Sequence, residues 1–236
     1  MTNTTSPPAL EIENLQFRYR GAGAFEIAVP SLRLGAGDQV LLTGGSGTGK
    51  STILQIIAGL VDPQSGVVRV AGKDMHSLHG ASRDRFRGAH IGMIFQTFNL
   101  LQGFSALENV LAALMFSEMP RPEHRGHALA MLKTLGITKP DVLVETMSVG
   151  QQQRVAVARA VACRPVLVLA DEPTASLDPE NSAAAIELIQ QTCTETGAAL
   201  LCTSHDPAMK ERFARVESLD ALRQAAGVQV GAGAGT

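Results

Sequence analysis

The stretch Gly44-Gly45-Ser46-Gly47-Thr48-Gly49-Lys50-Ser51-Thr52 constrains this chain more than any other. It fits G-x-x-x-x-G-K-[ST] and follows the apolar run Val40-Leu41-Leu42. Glycines allow the tight fold that points backbone N–H groups inward at a phosphate chain. Lys50 can reach the outer phosphates, and the Ser51 hydroxyl can ligate Mg²⁺. Helix-forming residues follow at once, residues 53–58, so a helix N-terminus adds its partial positive charge to the same place. A plain Gly/Ser turn is the bland reading, but the strand-like run before and the helix-like run after are the context the motif requires. A nucleoside triphosphate is the expected ligand.

Composition bounds the rest. The 236 residues suffice for one large or two small domains, and 45% hydrophobic content supports a substantial core. Net charge is −2 with no basic block, which argues against a nucleic-acid partner held by phosphate contacts. Cys163, Cys193 and Cys202 lack metal-type spacing and are expected as free buried thiols of a reducing cytoplasm. Residues 1–8 are polar, end in Pro7-Pro8, and are expected to be a disordered N-terminus rather than a signal peptide. No run of 18 apolar residues occurs, so any membrane role is expected to come through a partner. Residues 221–236, rich in Gly and Ala, are expected to form a loose tail.

Strand-like segments are expected at residues 10–19, 25–34 (broken by Pro30), 39–43, 66–70, 91–95, 166–170 and 198–203. Between 105 and 163 the pattern is helical. Ser105 and Glu108 have capping-box spacing, and Leu129, Leu132 and Leu135 recur at helical spacing before Gly136. Asp178-Pro179 supplies an N-cap and first-turn Pro for a helix to about residue 194. Strands alternating with helices imply an α/β fold, a mostly parallel sheet with helices on its faces, into which the helical stretch is inserted.

A second phosphate-site element follows from that topology. Asp171-Glu172 closes the 166–170 strand, and the carboxyl ends of parallel strands face the ligand crevice. Asp171 can hold Mg²⁺, and Glu172 can orient or deprotonate an attacking water. His205, after the next strand, can touch the γ-phosphate, and Gln96, after the 91–95 strand, can be a Mg²⁺ or water ligand. Taken alone, each of these last two reads better as an ordinary loop residue.

Residues 147–154, Met147-Ser148-Val149-Gly150-Gln151-Gln152-Gln153-Arg154, lie just upstream of the Asp171 strand. They are similar to L-S-G-G-Q followed by Q-Q-R. With the phosphate loop and Asp171-Glu172, in this order, they resemble the ATP-binding cassette (ABC) ATPase family over residues 10–219. Ser148 and Gln151 also have capping-box spacing for a helix to residue 162, and such an N-terminus is an anion site.

The resemblance implies a P-loop NTPase fold with a RecA-like sheet, an N-terminal antiparallel β region, and a helical subdomain at about residues 97–163 within a single domain spanning 9–220. It implies ATP and Mg²⁺ as ligands, Tyr19 stacking on adenine, Gln96 as the Q-loop residue, Glu172 as catalytic base and His205 as the switch histidine. Ser148, Val149, Gly150 and Gln151 would act on the nucleotide of a second subunit, and Ser176-Leu177-Asp178 would be the D-loop at that interface. The implied partners are a second copy and integral membrane permease subunits, with the chain cytoplasmic and peripheral on the membrane.

Two departures stand out. Met147 replaces leucine, a near-isosteric swap. Val149 replaces the first signature glycine, and a β-branched residue resists φ > 0, so a functional but slower site is expected. Phe95-Gln96-Thr97-Phe98-Asn99-Leu100-Leu101 and Phe104-Ser105-Ala106-Leu107-Glu108-Asn109-Val110 are similar to cassettes of the lipoprotein-release and macrolide-export group. Export or extraction is therefore the expected direction. Regulation of a cell-envelope or division complex without transport is the alternative. The apolar residues of 100–114 serve either the core or a docking membrane subunit.

Overall fold

The computed structural model describes residues 6–19, 26–175 and 177–226. Ser176, most of the N-terminal segment and residues 227–236 lie outside the described residues.

Two sheets share the core. The first is antiparallel, with order β2-β1-β4-β5, built from β1 (Leu10–Arg18), β2 (Glu26–Leu34), β4 (Ser65–Val70) and β5 (Lys73–Asp74). Pro30 does not break β2. That strand sits at the sheet edge, where a missing N–H costs no ladder bond on the open side, and pairing with β1 continues on both sides of the proline.

The second sheet has order β6-β7-β8-β3-β9, and every pairing in it is parallel. Its strands are β3 (Gln39–Thr43), β6 (Ile91–Ile94), β7 (Leu167–Asp171), β8 (Ala199–Ser204) and β9 (Arg215–Ser218). Side chains alternate between its faces, and both faces are covered. Val40, Leu42, Leu167, Leu169, Ala199 and Leu201 join the core shared with the antiparallel sheet and α1 (Lys50–Ile57). Leu41, Val168, Ala170, Leu200 and Cys202 join the opposite core, formed with the helices. This double burial explains why these strands read as continuous apolar runs.

The helical layer comprises α3 (Ala106–Leu114), α4 (Arg121–Thr134) and α5 (Val149–Val161). Both expected capping boxes form. Ser105 Oγ accepts from Glu108 N while Glu108 accepts from Ser105 N, and Ser148 and Gln151 do the same for α5. α2 (Gly80–His90) leads into β6, and α6 (Pro179–Thr196) follows the Asp178 cap and ends at Gly197, where φ is 73°.

The loose tail expected from residue 221 is corrected at its start. α7 (Leu219–Ala225) occupies it, capped by Ser218 accepting from Ala221 N and anchored by fully buried Leu219 against β2 and β9. Of the residues expected to serve core or docking, Leu100, Leu107 and Val110 are buried, whereas Leu101 and Phe104 are exposed at 41% and 46%.

Cys193 and Cys202 are buried and Cys163 half-buried, all with free thiols. Burial pushes Cys163 up to about 11 and Cys193 up to about 12, from an ordinary 9.0, and raises Cys202 as well. The unfolded chain therefore loses these protons first. The thiols contribute fully to stability below pH 9 and lose that contribution as pH rises through the folded values. Native protein is expected to resist thiol reagents at pH 8 at Cys193 and Cys202 and to label in urea; fast native labelling contradicts this.

Gly92 in β6 faces α5 so closely that a Cβ would lie 2.2 Å from the Ala160 carbonyl oxygen, whereas a Cβ on Gly126 in α4 meets nothing within 4 Å. Gly92→Ala should destabilise by about 1–3 kcal/mol through overpacking. Gly126→Ala should stabilise by about 0.5–1 kcal/mol through helix propensity. Urea and thermal melts of the two variants should move in opposite directions.

Candidate functional site

Parallel strands end at a common edge, and the expected site residues collect there. β3 delivers the chain to Gly44, and α1 starts six residues later at Lys50. The N-cap of α1 is Gly49 at φ 97°, ψ 17°, a conformation that a Cβ resists. Glycine has no side chain to cap with, so the first-turn amides point into the loop, as an anion site requires. A Cβ at Gly44 would press on Thr48 Oγ1 at 2.6 Å. Thr48 in turn braces the loop by donating its hydroxyl to the Gly45 carbonyl at 2.8 Å.

Lys50 is only 5% exposed. Its ammonium donates to the carbonyls of Gly44 at 2.9 Å and Gly45 at 3.0 Å and lies 3.2 Å from Glu172 Oε1. A buried ammonium requires such partners. The loop, Lys50, Ser51, Tyr19, Gln96, Glu172 and His205 line one cavity of about 500 Å³. Tyr19 stands at its rim, 48% exposed, its hydroxyl 3.0 Å from Thr52 Oγ1 and its ring edge-on to Phe17.

Glu172 follows β7 with φ 44°, a backbone conformation uncommon for a residue with a side chain. Its N–H is held by β8, donating to the Thr203 carbonyl and hydroxyl, each at 3.2 Å. The turn aims the carboxylate back into the cavity. There one oxygen meets Lys50 and the other accepts from His205 Nδ1. Asp171, one residue earlier, accepts at Oδ1 from the Thr203 hydroxyl at 2.8 Å. The loop after β8 is set by Ser204 Oγ accepting from Asp206 N at 3.0 Å.

Gln96 is exposed at the cavity, and the segment beyond it is strained. Phe98 and Asn99 have φ of 58° and 48°. Arg159 of α5 anchors both, donating to their carbonyls at 2.7 and 2.6 Å. Burial lowers the Arg159 pKa. Spacing arguments missed Arg159 and Thr203, because neither belongs to a recognisable motif; each becomes visible through the carbonyls and carboxylate it binds.

Ser148, Val149, Gly150 and Gln151 form the exposed first turn of α5, and none of them lines the cavity around Lys50. Val149 takes helical backbone as the first residue of α5 and has no positive φ, so the backbone ground for expecting a slower site is removed. What remains is its side chain, 53% exposed on that turn. A Cβ on Gly150 would meet nothing within 4 Å. Asp178 caps α6, accepting from Asn181 N at 3.0 Å and from Asn181 Nδ2 at 2.6 Å. Leu177 precedes it half-buried, and Ser176 of the expected D-loop lies outside the described residues.

The donor set fits a hard cation held partly by phosphate. It comprises a hydroxyl (Ser51), an amide (Gln96) and a carboxylate (Asp171), all oxygen donors of the type Mg²⁺ takes; Ser51 and Gln96 line the cavity, whereas Asp171 is not among its lining residues and stands one residue before Glu172, which is. Among the described residues no group of three or more His, Cys, Asp or Glu forms a metal cage.

Comparison with known proteins identifies the family of this fold. Residues 28–175, more than half the chain, match the ABC transporter family. The chain is 38% identical to the lipoprotein-releasing system ATP-binding protein LolD of Ruegeria sp., over 91% of this chain and 96% of that protein. It is 39% identical to the phosphonates import ATP-binding protein PhnC 1 of Rhodopseudomonas palustris, over 86% and 75%. The fold superposes with TM-score 0.74 and 32% identity on the ATP-binding cassette MJ0796, a dimer in a post-hydrolysis state bound to ADP and Pi, covering 89% of this chain and 93% of that one. With its P-loop, parallel sheet and inserted helices, the chain belongs to the ABC transporter family and is one of its ATP-hydrolysing cassettes.

Proposed function

We propose that two copies of this cassette close over ATP and that closure drives an integral membrane subunit in export or lipoprotein extraction. Glu172 is the base for the attacking water. The observation that carries this assignment is the position of its carboxylate, aimed into the cavity beside Lys50 and His205. A base must lie within hydrogen-bond reach of the water it deprotonates.

The other roles follow from the same cavity. The loop amides and Lys50 hold the phosphate chain, and Tyr19 at the rim takes the adenine ring. Ser51, Gln96 and Asp171 would hold Mg²⁺, which when bound neutralises charge on the β- and γ-phosphates. His205 faces the γ-phosphate and senses its loss. Most of the acceleration comes from positioning and electrostatics. In the dimer, the exposed first turn of α5 offers Ser148 Oγ, the open face at Gly150 and the helix N-terminus to the partner's γ-phosphate. Asp178 and its neighbours lie at that interface.

Among the described residues no helix is long and apolar enough to cross a membrane, which supports attachment through a separate membrane subunit. The Phe95–Leu101 and Phe104–Val110 motifs support extraction over import, and the lipoprotein-releasing relative matches over more of both chains than the import relative does, at nearly equal identity.

Glu172→Gln should lower ATP hydrolysis by about 10²–10⁴-fold, the usual worth of a positioned base. It should also accumulate an ATP-bound dimer by light scattering. Hydrolysis at the wild-type rate overturns the assignment of the base. Purification of the chain from membranes should bring a membrane-spanning subunit with it, and flux in vesicles of the reconstituted pair should run outward; inward flux overturns the direction.

A further inference from the structure

We infer that Thr203 is the positioning residue of the carboxylate pair: one buried hydroxyl sets both the Asp171 side chain and the Glu172 backbone. The inference rests on the reading of Asp171 as the Mg²⁺ ligand and Glu172 as the base.

Thr203 is fully buried at the end of β8, directly across from Asp171 in the parallel register. Its Oγ1 donates to Asp171 Oδ1 at 2.8 Å. The same oxygen accepts from Glu172 N at 3.2 Å, and the Thr203 carbonyl accepts from that N–H at 3.2 Å. The hydroxyl has one proton, and the neighbouring N–H can only donate. Of the hydroxyl's two acceptors, Asp171 Oδ1 at 2.8 Å is much nearer than the Ala170 carbonyl at 3.4 Å and takes the proton, while a lone pair serves Glu172. This polarity occupies one lone pair of Asp171 Oδ1 and holds the rotamer, so Oδ2, which takes no part in that bond, is the oxygen best placed for a cation. It also clamps the turn at which Glu172 adopts φ 44°. Buried polar groups bonded to metal-holding carboxylates orient them, and their loss typically costs about 10- to 100-fold in metal affinity or activity. Two residues on, His205 takes the Glu172 side chain. The end of β8 thus holds the base at both its backbone and its carboxylate.

Thr203→Val keeps the β-branched shape and removes the hydroxyl. Thr203→Ser keeps the hydroxyl and loses a methyl. The test is nucleotide binding by calorimetry, using ADP with and without Mg²⁺, together with Mn²⁺ binding followed by its paramagnetic resonance signal in the presence of ADP. Thr203→Val is expected to bind metal-free ADP like wild type, to need about tenfold or more higher Mn²⁺ or Mg²⁺ for half-saturation, and to lose kcat by a similar factor. Thr203→Ser is expected to restore both. Metal dependence in Thr203→Val equal to wild type overturns the inference, as does a serine variant no better than the valine one. If Thr203→Val also fails to bind metal-free ADP, the threonine merely supports the fold, and the inference is overturned in that way too. Asp171→Asn separates the two levels. If it leaves metal dependence untouched, the reading of Asp171 falls; if it abolishes that dependence while Thr203→Val does not, only the role of Thr203 falls.

Discussion

Everything at the site hangs on a parallel sheet that is buried on both faces. Parallel pairing sends the carboxyl ends of β3, β6, β7 and β8 to one edge. Leu41 and Leu42, Val168 and Leu169, and Leu200 and Leu201 face opposite cores, so a slip of one residue in register would exchange the two sets. Both sets are apolar, so it is the fit of each side chain into its own close-packed core that fixes the register. That register sets Asp171 opposite Thr203 and Thr43 opposite Ser204. The polar chemistry begins where the apolar runs stop, so the core positions groups it never touches.

Within that frame the charged groups form one short chain, Lys50 to Glu172 to His205. Lys50 and Glu172 are 5% and 16% exposed, so each has lost most of its hydration and depends on the other. Removing one partner of such a pair costs more than the pair itself contributes, because a charge is left uncompensated. Glu172 is therefore tied to the phosphate-binding lysine as well as to the strand that carries His205. A phosphate group drawing on Lys50 would alter the surroundings of Glu172, the proposed base, directly, with no long-range path needed.

The phosphate loop, β3, β6, β7 and β8 of the parallel sheet, and the N-caps at Ser105, Ser148 and Asp178 were legible because each has a local signature: glycine spacing, an apolar run, or a capping residue three positions before its partner. β9 and α2 left little trace. β9 is short and half-exposed, and α2 buries no residue fully, so neither carries periodicity. Pro30 misled because proline is penalised only where a ladder bond is needed, and sequence does not say which strand is an edge. Val149 misled through analogy with a glycine; its backbone is that of an ordinary helix start. Thr203 and Arg159 act on partners 32 and 60 or so residues away, a kind of contact that composition and spacing do not encode.

The division of the chain into sheet and helical layer also bears on the proposed closure of two copies. The cavity around Lys50 is lined by the phosphate loop, Gln96, Glu172 and His205, while the second anion-binding helix start, at Ser148, contributes nothing to it. Yet that first turn is exposed, capped through Gln151, and bare at Gly150. An N-terminus so exposed has unpaired dipole charge suited to an anion from outside the chain. Arg159 links the two regions inside one copy, joining α5 to the backbone just beyond Gln96. On the proposed reading, a phosphate engaged at the start of α5 would act on the same helix that holds the segment following Gln96. In the proposed dimer, closure between copies and the state of the cavity would thus be coupled through α5, a helix of thirteen residues.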